Sequence, residues 1–468
     1  MKINLSIVLV LLILLGCQNA KNIQYSGFWE GPHPEDLEKK FYIHLLTKSD
    51  SISAEGYWTH NNYYDSRFDV DSVTLNTDHI RFYIPDWECY YSGRITDQNS
   101  IEGGFDCTDE PFDSVKLVKN DEIKTFLTEA KPGCLDPGYQ YDYQVPVNPE
   151  DGLEVSPFQS VGDSMFIYSL IPEIINNEYG RLNSFLLVKN GKLICEEYFY
   201  GYTPNKLHQI ESSTKSITSL LIGIAKDKGM IKNLDEPLYQ IFPSYPHLKS
   251  EGYNKITINH LLTMTSGFSP EYEPYQPYDR IEFLLNRKLI AEPGEKFIYD
   301  GGNPEILGAI LKIKTGMFAD EFAEKYLFSP LKITNYDWSI FKQNGYPCMG
   351  GSLQMLPRDM AKTGMLVLNS GVFEGQPIIS EKWVKESTSV KTKTHIEGDD
   401  YSYLWWNINL GSEQNSYKTI WANGWGSQFI YIIPDLDIVM VTTGANYEYD
   451  SWAITSGISK YLYLLNDK

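Results

Sequence analysis

The stretch Glu211-Ser212-Ser213-Thr214-Lys215-Ser216-Ile217-Thr218-Ser219-Leu220-Leu221-Ile222-Gly223-Ile224 decides how the rest of the chain is read. It places a serine three residues before a lysine where an apolar helical run begins. Positions i and i+3 share a helix face, so the Ser212 hydroxyl and the Lys215 amine fall within hydrogen-bond reach, as a nucleophile beside its base. The first turn of a helix also carries unpaired N–H groups and the positive end of the dipole, which favour a developing alkoxide. A plainer role is open to the same residues, in which Ser212, Ser213 and Thr214 only cap a helix running to about Gly229. A second pair at this spacing, Ser339 and Lys342, runs straight into Gln343-Asn344-Gly345, a turn signal rather than a helix. Context therefore selects Ser212.

Outward from that stretch, Ser184 to Leu193 reads as a strand, a turn at Asn190-Gly191 and a second strand. Then follow Leu234-Asp235-Glu236-Pro237, His260-Leu261-Leu262-Thr263-Met264-Thr265-Ser266-Gly267, Pro293-Gly294-Glu295-Lys296-Phe297-Ile298-Tyr299, Pro357-Arg358-Asp359-Met360-Ala361-Lys362 and a late strand leading to Pro434. In this order, from about residue 150 to 465, the segments resemble the beta-lactamase-related serine hydrolases. That group includes class C beta-lactamases, penicillin-binding D-Ala-D-Ala peptidases, certain esterases and the nylon-oligomer amidases.

The resemblance implies an α/β (α+β) catalytic domain of the beta-lactamase/D-Ala-D-Ala peptidase type. An antiparallel sheet is covered by helices, a mostly helical lobe is inserted between Ser212 and the late strand, and the site lies between them. The helices Ser216 to Lys228 and Pro304 to Thr315 fit this plan, with apolar residues at helical spacing. Asp359 and Lys362 match a helix start and read as structural, and Trp405 and Trp406 as lining or supporting the pocket.

The resemblance also implies roles. Ser212 attacks a carbonyl and forms an acyl-enzyme that water hydrolyses, Lys215 takes the serine proton as a neutral amine, and Tyr299 relays a proton to the leaving group. A phenol, with an ordinary pKa near 10, can do this at neutral pH only with a cation such as Lys215 beside it. Gly301 stands where the family pattern has an Asn, and Asn303, two positions on, is the candidate substrate-orienting amide. On the late strand, Ala422-Asn423-Gly424-Trp425-Gly426-Ser427-Gln428 matches the Gly-rich form of nylon-oligomer hydrolase relatives, with Ala422 in place of a basic residue. The alternative, Lys418-Thr419-Ile420, keeps the lysine and threonine and loses the glycine. Gly424 is preferred, since a glycine lets the backbone approach a substrate closely. The N–H groups of Ser212 and Trp425 would form the oxyanion site.

Three functions are compatible with these residues. The first is a hydrolase of small esters, amides or peptides, most like the esterase and nylon-oligomer branch. The second is a D-Ala-D-Ala peptidase or beta-lactamase acting on cell-wall-type substrates. The third is a catalytically silent binding lipoprotein, suggested by the absence of Asn at 301 and of a base at 422. The chemistry requires no cofactor, and no Cys/His spacing supports a metal site.

Among 468 residues 42% are hydrophobic, enough for a large core, and the length is that of two domains. The formal net charge of −21 argues against nucleic acid as a partner. Residues 1–16 read as a signal peptide, with an apolar run from Ile3 to Leu15. Leu14-Leu15-Gly16-Cys17 resembles the lipobox of bacterial lipoproteins, which implies acylation at Cys17, a tether over 17–22, and a lipid-anchored protein of the bacterial cell envelope, periplasm-facing or on the surface. Of the other five cysteines, Cys89 and Cys107 flank two predicted strands and form the candidate disulfide.

Residues 23–120 read as a β-rich accessory domain, a small barrel or sandwich, from alternating runs such as Phe41/Ile43/Leu45, Val73/Leu75 and Ile80/Phe82/Ile84. Its aromatic residues Tyr57, Trp58, Tyr63, Tyr64, Trp87, Tyr90 and Tyr91 suit either stacking on sugars or peptides or, more commonly, core and cross-strand packing. No particular ligand is indicated. Residues 121–155, with Pro132-Gly133, Pro137-Gly138, Pro146 and Pro149, read as a linker, and 156–468 as the catalytic domain.

Overall fold

A computed structural model describes residues 25–32, 40–48, 51–60, 63–107, 112–271, 279–338, 345–396, 398–447 and 450–466. The lipobox with Cys17, and the second pair Ser339 and Lys342, lie outside the described residues. Contacts divide the chain into two compact units, Met1–Pro137 and Gly138–Lys468.

In the first unit, alternating apolar and polar residues build a nine-stranded antiparallel sheet. Its spatial order is Tyr63–Phe68, Ser51–His60, Lys40–Lys48, Gly27–Pro32, Phe112–Lys119, Ser100–Cys107, Cys89–Asp97, His79–Ile84 and Asp71–Asn76. The sheet curls into a nearly closed barrel. The inward set includes Phe41, Ile43 and Leu45 on one strand and Ile80, Phe82 and Ile84 on another, the period of two that a half-buried strand requires. Cys89 and Cys107 face each other across neighbouring strands and are bonded.

The described aromatic residues mostly pack inward. Tyr91 is fully buried, and Trp87 lies 5.5 Å from Phe41 and 5.4 Å from Phe105. Tyr90 is exposed, with Arg81 4.2 Å over its ring. The side chains of Trp58, Tyr63 and Tyr64 lie outside the described residues. The barrel unit also reaches past residue 120. A turn at Asp121–Ile123 and the helix Lys124–Leu127 bury Ile123 and Leu127 with Phe28, Tyr42 and Tyr57. An i, i+4 apolar pair that shares a helix face takes these residues out of the predicted linker.

The second unit has a nine-stranded sheet of order Glu154–Val155, Lys192–Tyr198, Leu182–Lys189, Ile438–Gly444, Gln428–Ile433, Asn415–Gly424, Trp406–Ser412, Asp400–Tyr401 and Thr392–Lys393. All neighbours are antiparallel except the first pair. Strands Leu182–Lys189, Gln428–Ile433 and Ile438–Gly444 are buried along their whole length, as strands covered on both faces must be. The Asn190-Gly191 turn adopts positive φ at both residues, 51° and 74°. Such a turn matches the twist of the strands it joins.

Helix Pro357–Leu368 packs on the central strands, where an added Cβ on Gly364 would lie 2.5 Å from Val439. Inside that helix Lys362 Nζ donates to Asp359 Oδ1 at 2.8 Å, a buried structural pair. The lobe is built from Thr214–Asp227, Ile258–Leu262, Arg280–Leu285 and Gly302–Thr315, packed around the last of these. No helix among the described residues is long and apolar enough to cross a membrane.

Candidate active site

Ser212 lies in a 3₁₀ turn, Glu211–Ser213, that runs directly into helix Thr214–Asp227. The turn is held from outside: Ile210 N–H donates to Leu353 O at 2.9 Å, and Ser213 Oγ donates to Gln428 O at 2.7 Å. Ser216 Oγ donates to Leu404 O at 2.8 Å, so the Ser and Thr residues here serve as anchors to neighbouring segments rather than only as caps.

Lys215, 4% exposed, places Nζ 2.8 Å from Ser212 Oγ and 2.6 Å from the Gly350 carbonyl oxygen. Its Nζ also stands 5.0 Å from the centroid of the Tyr299 ring. Tyr299 is walled by Trp406 at 5.6 Å, Tyr401 at 6.4 Å and Phe297 at 6.4 Å. Burial raises the Tyr401 phenol well above its ordinary range, with Tyr299 adding to the effect. The predicted supporting role of Trp406 is realised as ring packing on Tyr299, while Trp405 is wholly buried.

At the end of strand Asn415–Gly424, a Cβ on Gly424 would lie 2.3 Å from the Ile210 carbonyl oxygen. The glycine therefore lets the strand touch the backbone two residues before the nucleophile. The following turn carries Trp425, 59% exposed, with its ring 5.0 Å from Tyr447. Lys418 and Thr419 sit mid-strand, paired with Asn409 and Ile408, so the alternative Lys-Thr-Ile triplet lies away from the strand end that meets Ile210.

The structure thus brings together Ser212, Lys215, Tyr299 and the Gly424-Trp425 turn. Asn303 departs from its predicted place. It is fully buried in helix Gly302–Thr315, where its Oδ1 accepts from Ser266 Oγ at 2.9 Å and its Nδ2 donates to Met264 Sδ at 3.6 Å. Both ends of its amide are committed inside the lobe, because the first turn of this packed helix, where Asn303 is the second residue, faces the neighbouring lobe segments.

Two residues were missed by sequence reasoning. Asp300, next to Tyr299, is buried and accepts from Arg287 Nη1 at 2.8 Å, from Glu271 N–H at 2.9 Å and from the N–H groups of Gly302 and Asn303 at 3.0 Å each. It fixes the loop that presents Tyr299, and an Asp just ahead of a helix start was the available signal. Glu211, next to Ser212, has φ +48°, in the left-handed region that a non-glycine residue seldom occupies. Burial pushes its carboxyl up to about 8, against the opposing pull of Lys215. Its Oε2 lies beside Gly351, 3.8 Å from where a Cβ would stand there. Nothing local in the sequence marks this half-buried acid.

Among the described residues no group of His, Cys, Asp and Glu is arranged to hold a metal ion.

The 6-aminohexanoate-dimer hydrolase of Paenarthrobacter ureafaciens is 23% identical over 289 residues, 55% of this chain and 71% of the relative. Protein flp of Staphylococcus aureus is 28% identical over 181 residues, 35% of each chain. Among solved structures, a candidate 6-aminohexanoate-dimer hydrolase from Bacillus anthracis superposes with a TM-score of 0.53 at 22% identity, over 62% of this chain and 79% of that one. The penicillin-binding protein homologue from Pyrococcus abyssi gives 0.52 at 18% identity, over 63% and 76%. These structural likenesses are of fold. The beta-lactamase family model matches residues 183–448, which span Ser212, Lys215, Tyr299 and the Gly424 turn. The chain belongs to the beta-lactamase family of serine hydrolases.

Proposed function

We propose that this protein is an envelope-anchored serine hydrolase that cleaves an ester or amide bond through an acyl-enzyme on Ser212. The observation that carries the reading is the placement of one buried lysine. Lys215 Nζ is 2.8 Å from Ser212 Oγ and is fixed by the Gly350 carbonyl at 2.6 Å. A neutral Lys215 amine has one N–H for Gly350 and a lone pair for the serine proton. Attack by Ser212 Oγ forms the tetrahedral adduct, and the ammonium so produced is stabilised by the Gly350 carbonyl and the Tyr299 ring face. Tyr299 then passes its proton to the departing group and regains one from the Lys215 ammonium beside it, which returns Lys215 to the neutral amine. Collapse of the adduct breaks the ester or amide bond, and water releases the acyl group from Ser212. The Ser212 N–H and the turn at Trp425, which Gly424 seats against Ile210, are the proposed oxyanion donors.

The relative's name, a hydrolase of the 6-aminohexanoate dimer, supports an amide or a related ester as substrate. The placement of Ala422 in the strand at the site supports the same branch over substrates with a carboxylate next to the scissile bond.

A fluorophosphonate probe followed by intact mass, with a short-chain nitrophenyl ester as substrate, tests this reading. Wild type should gain one adduct and turn over the ester, and Ser212→Ala should lose both, with kcat down by about a thousandfold or more. Absence of label and turnover in the wild type would turn the assignment toward a binding protein. Stable acylation of Ser212 by penicillin would instead favour the cell-wall-directed branch. The proposed anchor is tested on protein from the membrane fraction. Cys17 should carry lipid mass, and Cys17→Ser should release the protein from that fraction.

A further inference from the structure

Gln428 opens the strand Gln428–Ile433, whose remaining residues are all aliphatic or aromatic and all buried. Gln428 is itself buried. An amide in such a place is costly unless its hydrogen-bonding groups find partners. Nε2 donates to Gly444 O at 2.6 Å and to Gly426 O at 3.1 Å, and Oε1 accepts from Gly444 N–H at 3.3 Å. With carbonyls at one end of the amide and an N–H at the other, a single orientation satisfies both.

The turn gripped by this amide has an unfavourable backbone. Gly426 and Ser427 both lie in the left-handed region, with φ 78° and 74°, and Ser427 has a Cβ to accommodate there. Its own bonds hold it: Oγ donates to Ser451 O at 2.6 Å and accepts from Asn446 Nδ2 at 3.0 Å, and its carbonyl accepts from Thr442 Oγ1 at 2.9 Å. A costly conformation persists where surrounding contacts over-determine it, and this one fixes the path of the chain just after Trp425.

The main chain of Gln428 reaches the other side of the site. Its carbonyl accepts from Ser213 Oγ at 2.7 Å, and that oxygen lies 3.0 Å from where a Cβ on Gly424 would stand. Ser213 follows Ser212, and Gly426 follows Trp425. One residue is thus bonded to the chain neighbour of each proposed oxyanion donor.

We propose that Gln428 is a positioning residue that sets the separation of the two oxyanion donors, the N–H groups of Ser212 and Trp425. The inference rests on the hydrolase reading above and adds a residue to it. Gln428 acts through the two turns. The oxygen of the tetrahedral adduct needs both donors at hydrogen-bond distance together, so an error in their spacing weakens the adduct and leaves ground-state binding nearly as it was.

The test compares wild type with Gln428→Met, which keeps the length of the side chain and removes its three hydrogen bonds. The endpoint of fluorophosphonate labelling counts intact sites, and nitrophenyl ester turnover is expressed per labelled site. Gln428→Met should lower kcat roughly thirtyfold with KM within about twofold, a loss confined to the transition state. It should also weaken inhibition by phenylboronic acid, whose tetrahedral serine adduct places a hydroxyl in the oxyanion position, by roughly tenfold. A merely structural role would lower the labelled fraction and leave kcat per site and boronate affinity as in wild type, and that result overturns the proposal. A lower kcat without weaker boronate binding also counts against it. If Gln428→Met yields no labelled protein, Ser213→Ala decides in its place, since it cuts only the hydroxyl bond to the Gln428 carbonyl. A several-fold fall in both kcat per site and boronate affinity supports the proposal, and no change in either overturns it. Wild type that is neither labelled nor active removes the hydrolase reading and this inference together, whereas active wild type with unchanged variants removes Gln428 alone.

Discussion

Ser212 and Lys215 are adjacent on one helical face, but the chemistry of the pair depends on what surrounds them. Glu211 is the least obvious of these surroundings. Its folded pKa of about 8 lies above the ordinary glutamate value of about 4.5, so between the two the folded state holds the carboxyl neutral where the unfolded chain would ionise it. The resulting stability is complete below about 4.5 and is lost as pH rises toward about 8. Glu211→Gln removes this dependence. Chemical denaturation from pH 4 to 9 should therefore show the variant gaining on the parent as pH rises, and parallel curves would refute the raised pKa. Asp300 acts differently: four donors converge on one buried carboxylate, so it belongs to the support of Tyr299 rather than to proton transfer.

At the scale of elements, the site exists because a strand end meets a helix start. Strand Asn415–Gly424 approaches the Glu211–Ser213 turn so closely that a methyl at Gly424 would overlap the Ile210 oxygen at 2.3 Å. Gly424→Ala should push the strand from the turn and displace the proposed oxyanion donor by a fraction of an ångström or more. Such misplacement costs on the order of a hundredfold in turnover. The expected result is a large fall in kcat with far-ultraviolet circular dichroism unchanged, and full activity in the variant would remove Gly424 from the site. The same contact sets the Lys418-Thr419-Ile420 triplet apart from the proposed site. It lies within the strand, while the end that reaches Ile210 is Gly424.

The whole molecule consists of two units with separate cores, a barrel stapled by one disulfide and a sheet-and-helix unit that contains every residue proposed for catalysis. Cys89 and Cys107 enclose a loop of sequence separation 18, for which a cross-link stabilises by about 3 kcal/mol. Reduction should lower the unfolding transition of the barrel unit while ester hydrolysis by the second unit persists. Loss of hydrolysis in step with reduction would instead make the barrel part of the active enzyme.

Much of this architecture was legible in the sequence. The period-two runs gave the barrel strands, Asn190-Gly191 gave the hairpin, and the serine–lysine spacing with the ordered segments after it gave the catalytic unit. The boundary after residue 120 was misplaced because Pro and Gly farther on outweighed the apolar pair Ile123 and Leu127. Short-range pattern is sufficient for such features, since it fixes which residues share a face and where a chain can turn. The tertiary structure alone decided that Lys215 meets a carbonyl 135 residues away and that Gly424 meets Ile210. It also set the half-buried Glu211 beside the nucleophile and turned Asn303 into the lobe. Burial and hydrogen-bond partners of that kind are set by segments far apart in the chain, whose approach no local spacing encodes.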